Sequence, residues 1–444
     1  MQAREANLRI VFLYYFLIIG ALELSSGLAL AQAPPPDPFS ALERLEREVV
    51  IRGVVDRNPT IEAARQAWEA ATEREPQLSS RDDPSVSYSL APLSIGAGDV
   101  RYGQSIGFAQ RLPYPGKLGL RGEIARFEAE AARHDYEAVR LQLATVASLL
   151  FDDYYFVARA LEINTEHVGL LEDFQRIATA RYTAGLASQQ DPLQAEVEVA
   201  HLLHRDVVLR TSQRTVVAQL NALLHRAPDA RLPPPPSELD APAAPELAAT
   251  AQVDAALVRR PELKARLAEV EARAATVRLR EKDFYPDFEV ATSFNSMWGD
   301  SEHRWMVGIG INLPIRRDRL RAASAEAAAA LKQAESARMA LEDAIRAEVY
   351  VARERLLEAE HVVELFRSRL LPAASDQIRA ARAGFETGQN SFLALIEAER
   401  NQRSVRLGYE ESLADFYRRR AELDRARGTM AALGSEEDTE GGVK

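Results

Sequence analysis

The chain has 444 residues, 47% of them hydrophobic and 27% charged, with a formal net charge of −11. An acidic balance of this size makes nucleic acid and anionic lipid surfaces poor partners and suits a solvated surface or a weakly cation-attracting lumen. Cysteine is absent, which excludes a disulfide framework, a thiol nucleophile, a cysteine zinc site and an N-terminal lipidated cysteine.

Arg4 and Arg9 flank the start of an apolar run, Ile10 to Leu22, and small residues follow at Ala29-Leu-Ala31. This is the pattern of a secretory signal over residues 1–31, cleaved after Ala31. The run is shorter than the ~20 residues that span a bilayer comfortably, which argues against an uncleaved anchor. Beyond Pro34 to Pro38, an amphipathic stretch from Ala41 to Arg52 leads to a helix from Thr60 to about Leu78, stopped by Asp83-Pro84. Two alternating segments follow, at about 84–92 and 101–112, with Tyr102, Ile106, Phe108 and Leu112 on one side and small residues on the other. That is the period of a strand with one apolar face. From about 116 to 184 there is no proline, and a helix of that length extends about 100 Å. Gly185 ends it, and a second helix is predicted over about 191–224. The first repeat thus occupies 32–230, and the stretch 231–250, with Pro233-Pro-Pro-Pro236, is a stiff linker.

The second half, 251–428, repeats the order with bulkier strands at about 287–297 and 303–313. Phe288, Val290, Trp305, Val307, Ile309 and Ile311 recur at every second position, and each strand has the length that crosses a bilayer when tilted. A soluble sandwich packed on the helices is the alternative, but two isolated hairpins leave their edges unpaired and call for further copies. Helices are predicted over about 319–387, with a kink or break at Pro372, and over about 391–427. The tail 429–444 is too polar to pack and is expected to be disordered.

The two halves keep a nearly constant offset. Asn58-Pro59 matches Arg260-Pro261 and Asp83-Pro84 matches Tyr285-Pro286 at 202 residues, whereas Gly185 matches Gly388 at 203. Along the long helices, Leu143, Ala147, Leu150, Tyr154, Val157, Leu161, Asn164, Val168 and Leu171 step by four and three. Ile345, Val349, Ala352, Leu356, Ala359, Val363, Phe366, Leu370 and Ala373 do the same at an offset of 202. Such a seam requires a partner helix along its length, and its equal register in both halves marks a structural duplication.

In its order of elements the chain resembles the TolC-like family of outer-membrane efflux proteins, over about Asn58 to Arg427. The residues that carry the resemblance are the two repeat openings, Gln110-Arg-Leu-Pro113 and Asn312-Leu-Pro314 closing the strand pairs, and Tyr182-x-x-Gly185-x-x-Ser188 with Phe385-x-x-Gly388-x-x-Ser391 at the helical turns. Gln110-Arg-Leu-Pro-Tyr-Pro-Gly-Lys117 also looks like the stretch found in the branch serving heavy-metal pumps of the resistance-nodulation-division type. The resemblance implies a mostly helical homotrimer whose strands close a 12-stranded membrane barrel above a periplasmic α-helical tunnel. It implies an outer-membrane exit duct, without lipid anchor, for passive export of small solutes, heavy-metal cations among them, in a tripartite system with a periplasmic adaptor and an inner-membrane pump. Gly185, Leu186, Ser188, Gly388, Gln389 and Ser391 are then candidates for adaptor contact. Asp191, Glu196, Glu198, Glu397 and Glu399 are either solvated helix-face acids or the lining of a closing aperture. Tyr102, Ile106, Phe108, Phe288, Val290, Trp305, Val307, Ile309 and Ile311 would face outer-membrane lipid.

No Ser/His/Asp cluster, phosphate loop or metal-ligand spacing stands in the sequence, so neither an enzyme nor a resident cofactor or metal is expected. The competing class is a periplasmic adaptor or scaffold coiled coil. It would carry one long hairpin rather than two, each with its own strand pair.

Overall fold

Proline suits the first turn of a helix because its missing N–H would find no intrahelical partner there, and both repeats open on one. The computed structural model describes residues 39, 42–95, 102–240 and 249–429. The signal segment and the tail beyond Thr429 lie outside them. Every element of both repeats belongs to one unit, from Arg44 onward.

The first repeat runs α1 (Arg47–Arg57), α2 (Pro59–Thr72), α3 (Arg74–Ser79), β1 (Ser85–Leu90), β2 (Gln104–Leu112), α4 (Lys117–Thr183) and α5 (Gln190–Leu223). The second runs α6 (Ala249–Arg259), α7 (Pro261–Lys282), β3 (Phe288–Asn295), β4 (Trp305–Ile311), α8 (Arg317–Leu365), a π-turn (Phe366–Leu370), α9 (Leu371–Glu386) and α10 (Phe392–Ala426). With 67 residues, α4 is about 100 Å long, and it packs along α5, α7 and α10.

The repeat openings close each repeat on itself. Asn58 caps α2 by accepting the Thr60 N–H at 2.9 Å and donates its side-chain amide to Leu223 O at 2.9 Å. Its counterpart Arg260 donates to Ala426 O at 3.5 Å and to Glu262 at 3.2 Å. In each case the start of a repeat is tied to the last turn of that repeat's own helical hairpin.

The four strands form one antiparallel sheet in the order β1-β2-β3-β4. The register pairs Val86 with Phe108, Tyr88 with Ile106, Ile106 with Phe294, Leu112 with Phe288, Val290 with Ile309 and Phe294 with Trp305. Side chains of directly opposed residues share a face, so the apolar positions of all four strands fall on one side. The other side is mostly small, with Ser85, Ser87, Ser105, Gly107, Ala109, Ala291, Ser293, Gly308 and Gly310, and it also carries Arg111, Glu289, Asn295 and Met306. Among the described residues no further strand pairs with the outer edges, β1 and β4.

The helices bury two apolar clusters. One gathers Tyr155, Ile345, Val349, Leu356, Val363, Leu413, Phe416 and Leu423. The other, toward the helical turns, gathers Leu171, Phe174, Leu202, Ile378, Phe385, Phe392 and Leu395. Each fully buried side chain of this size contributes roughly 1.5–3 kcal/mol.

The predicted seam holds in α8, where Ile345, Val349, Ala352, Leu356, Ala359 and Val363 are all buried, and then changes phase. Ala373 is exposed, and Ala374, Ile378 and Ala381 are buried in place of Leu370 and Ala373. The cause is the π-turn, whose wider hydrogen bonding holds one more residue than an α-turn. It moves the offset between repeats from 202, as in Asn58 and Arg260, to 203, as in Leu171 and Ala374 or Gly185 and Gly388. The Phe366 ring fills the space that a side chain at Gly408 would need, 2.8 Å from the position a Cβ would take, which fixes the turn against α10. The interruption predicted at Pro372 therefore falls just before it, and the proline opens α9.

Candidate functional site

A helix that must reverse needs a residue with positive φ after its last turn, and glycine adopts that conformation without cost. Gly185 (φ 72°) and Gly388 (φ 79°) both do so. Their N–H groups reach Tyr182 O at 2.9 Å and Phe385 O at 3.1 Å, and the next residues, Leu186 and Gln389, reach Arg181 O at 2.8 Å and Gly384 O at 2.7 Å. These are paired Schellman closures. Ser188 then accepts the Gln190 N–H at 3.0 Å and Ser391 accepts the Ala394 N–H at 3.3 Å, starting the return helices. The two turns are chemically unequal: Leu186 is 70% exposed, where the second turn presents Gln389. Arg181 joins them, donating to Phe385 O at 2.6 Å with its guanidinium 4.6 Å from the Phe385 ring centre.

The five acids beyond the turns divide. Asp191 is half-buried in the first turn of α5, and Glu196 and Glu397 are exposed. Glu198 and Glu399 are 4% and 0% exposed, each packed inside the protomer. Glu198 accepts from Arg400 Nε at 3.0 Å, and the Arg400 guanidinium holds its carboxyl below the usual carboxylate range. Glu399 meets His167. Both thus bond to side chains of another helix.

On the sheet, Tyr102, Ile106, Phe108, Val290, Trp305, Val307, Ile309 and Ile311 are exposed large hydrophobic side chains. Phe288 is partly covered. An exposed apolar face of this extent needs a covering that is not water. Among the described residues no helix is long and apolar enough to cross a membrane, and the membrane-compatible surface among them is that of the sheet.

The strand-to-helix junction explains the motifs that close the strand pairs. The Tyr114 N–H and Lys117 Nζ both donate to Asp287 Oδ1, at 2.8 and 2.9 Å. The Asp287 N–H in turn donates to Asn312 at 2.6 Å, and the Tyr114 and Tyr285 rings stack 4.6 Å apart. One carboxylate thus gathers segments from both repeats where sheet meets helices. Among the described residues no group of three or more His, Asp or Glu is placed to hold a metal ion.

The model of the family described as outer membrane efflux protein matches residues 50–225 and again 252–429, one match per repeat. The chain belongs to the outer membrane efflux protein family. It is a channel of the outer membrane and not an enzyme. This efflux protein is 23% identical to the cobalt-zinc-cadmium resistance protein CzcC of Cupriavidus metallidurans over 313 residues, covering 70% of this chain and 74% of CzcC. Its fold is that of VceC from Vibrio cholerae (TM-score 0.72, 16% identity, covering 86% of this chain and 96% of VceC). The same holds for the transmembrane channel CusC (TM-score 0.75, 17% identity, covering 90% of this chain and 98% of CusC). The efflux family's TolC-like architecture is therefore the one that the resemblance implies, and the adaptor alternative falls.

Sequence reasoning overlooked residues that join the repeats, among them His167, Arg181 and Arg400. The one available signal was polar residues, Asn164 and His167, on the inward side of an otherwise apolar stripe.

Proposed function

We propose that this channel is the exit duct of a tripartite efflux system, assembled from three copies whose four strands each close a twelve-stranded barrel. The observation that carries this is the sheet itself, with one face apolar and neither outer edge paired among the described residues. A free edge in lipid leaves N–H and C=O groups unsatisfied at several kcal/mol each, so only closure with further copies is tolerable. The apolar face, Ile106, Phe108, Val307 and Ile309 included, then meets outer-membrane lipid, and the opposite face, mostly small residues with Arg111 and Glu289 among them, lines a wide lumen. Exposed Leu193, Val197, Leu203 and Val207 along α5 supply apolar surface for the neighbouring copy.

The turns at Gly185-Leu186-Ser188 and Gly388-Gln389-Ser391 meet a periplasmic adaptor, and an inner-membrane pump of the resistance-nodulation-division type supplies the energy. The likeness to CzcC supports heavy-metal cations as cargo. Such cations are substrate, passed along rather than held. Of the candidate aperture acids, Asp191, Glu196 and Glu397 keep that role. Export begins with the signal over residues 1–31, and with no cysteine the mature chain carries no lipid anchor.

Purified in detergent, the protein should behave as a trimer and give stepwise conductance in planar bilayers. A water-soluble monomer without conductance would sink the proposal.

A further inference from the structure

The pairing of β2 with β3 is a template for a pairing that one chain alone does not make. Phe288 in β3 corresponds to Val86 in β1, as Tyr285-Pro286 corresponds to Asp83-Pro84, and Leu112-Pro113 closing β2 corresponds to Leu313-Pro314 closing β4. Where β2 meets β3, Leu112 stands opposite Phe288. The same geometry between β4 and β1 sets Leu313 opposite Val86, Ile311 opposite Tyr88 and Ile309 opposite Leu90. Those two strands are the outer edges of the sheet. They lie about 14 Å apart across it, so the β1 that meets β4 belongs to another copy.

The backbone agrees with this register. Ala91 N–H donates to Gly103 O at 2.9 Å, so odd-numbered residues of β1 turn their polar groups to β2, and Val86, Tyr88 and Leu90 turn theirs outward. Asn295 N–H donates to Arg304 O at 2.8 Å and Asn312 N–H to Asp287 O at 3.1 Å, so even-numbered residues of β4 serve β3, and Ile309 and Ile311 turn outward. These outward residues also carry their side chains on the apolar face. A slip of one residue would break that agreement, whereas a slip of two would keep it.

Charge removes the slip of two. Below the sheet the strands run into the helix crossovers, and within the chain the continued register brings Lys117 Nζ to Asp283 Oδ1 at 3.5 Å, with Asp287 Oδ1 at 2.9 Å. Continued in the same way between copies, it sets Arg316 against Asp83, Arg317 against Asp82 and Asp318 against Arg81, opposite signs at successive positions. All of these are exposed, and among the described residues Asp318 alone of them has an ion-pair partner, Arg321 at 3.8 Å. A slip of two in one direction opposes Arg316 to Arg81, and in the other Asp318 to Asp83. Like charges so placed suppress the wrong register, and opposite charges fix the right one.

We propose that copies of this chain join through a charge-keyed seam: β4 against the neighbouring copy's β1 in the register Ile309–Leu90, Ile311–Tyr88 and Leu313–Val86, locked beneath by Arg316–Asp83, Arg317–Asp82 and Asp318–Arg81. Each edge is matched by the other edge of the next copy, so the seam is head to tail and closes a ring. It rests on the reading of a barrel closed by three copies, and it states how each copy recognises the next.

Because the chain has no cysteine, introduced pairs report the register directly. In the full-length protein in detergent, Leu90→Cys with Ile309→Cys, and Tyr88→Cys with Ile311→Cys, should oxidise to covalent dimers and trimers. The slipped pairs, Leu90→Cys with Ile311→Cys and Leu90→Cys with Val307→Cys, should do so at least about tenfold more slowly, since a disulfide demands close Cα atoms. Arg316→Asp with Arg317→Asp should abolish the heat-resistant trimer band, as should Asp82→Arg with Asp83→Arg, and the four changes together should restore it. Trimers that crosslink fastest through a slipped pair would overturn the seam and leave the three-copy duct standing. So would charge reversals that neither weaken the trimer nor rescue one another. A wild-type chain that never assembles would overturn both.

Discussion

Asp152 shows what a single buried charge does in this wall. Its side chain has no exposed surface and is met by Arg47 of α1, whose guanidinium also lies 4.2 Å from the Tyr417 ring centre. Burial pushes the carboxyl up from its ordinary 3.8 to about 7, against the pull of Arg47. Between those limits the folded state holds a proton that the unfolded state has released, so this group makes stability decline as pH rises from about 4 to about 7. The thermal midpoint of the helical signal should accordingly drop over that window, and Asp152→Asn should flatten the drop. An unchanged slope in the variant would assign it elsewhere. Tyr155 is a contrasting case in the same wall: it donates to Glu410 Oε2 at 2.8 Å, and burial keeps its phenol protonated well beyond the usual range.

At the scale of elements, the sheet's two faces make opposite demands. Ile309 and Gly308 are neighbours in β4, yet Ile309 stands opposite Val290 and Gly308 opposite Ala291. Ile309→Arg should cost about 2–4 kcal/mol of barrel stability in lipid, read as loss of heat-resistant trimer and of membrane insertion. Gly308→Asp points away from lipid and should leave insertion intact while changing ion selectivity, a contrast that bilayer recordings can resolve. These faces were legible in the sequence because a strand alternates with period two and Ile106, Val290, Val307 and Ile309 obey it. The long helices were legible for the same kind of reason, through their unbroken four-three spacing. The phase change in the second repeat was not, since Phe366, Leu370 and Ala373 are apolar enough to continue the old register on paper. Nor were the links between repeats: His167 and Glu399 stand 232 residues apart, and nothing local to either residue names the other. The burial of Glu198 and Glu399 was not legible either, because an acid near a turn looks alike in sequence whether water or another side chain receives it.

Across the whole molecule, two hairpins per chain offer two kinds of tip, one presenting Leu186 and the other Gln389. If an adaptor grips both, the apolar tip carries the desolvation gain, about 1.5–3 kcal/mol for a fully covered leucine. Leu186→Glu should then abolish export-dependent resistance in cells while leaving trimer formation and single-channel conductance as they are. Loss of conductance as well would place the residue in the wall rather than at a partner. The two halves differ in another way, held in the single π-turn of Phe366–Leu370. Helix α4 runs straight through the corresponding region around Asn164. Had the ancestral half possessed the extra residue before it was doubled, both copies would have inherited the swollen turn. The codon was therefore gained or lost after the doubling, in one copy, and the fold took it up locally, leaving the helix beyond it in phase with its neighbours. One distorted turn preserves the order of two events in the history of the gene.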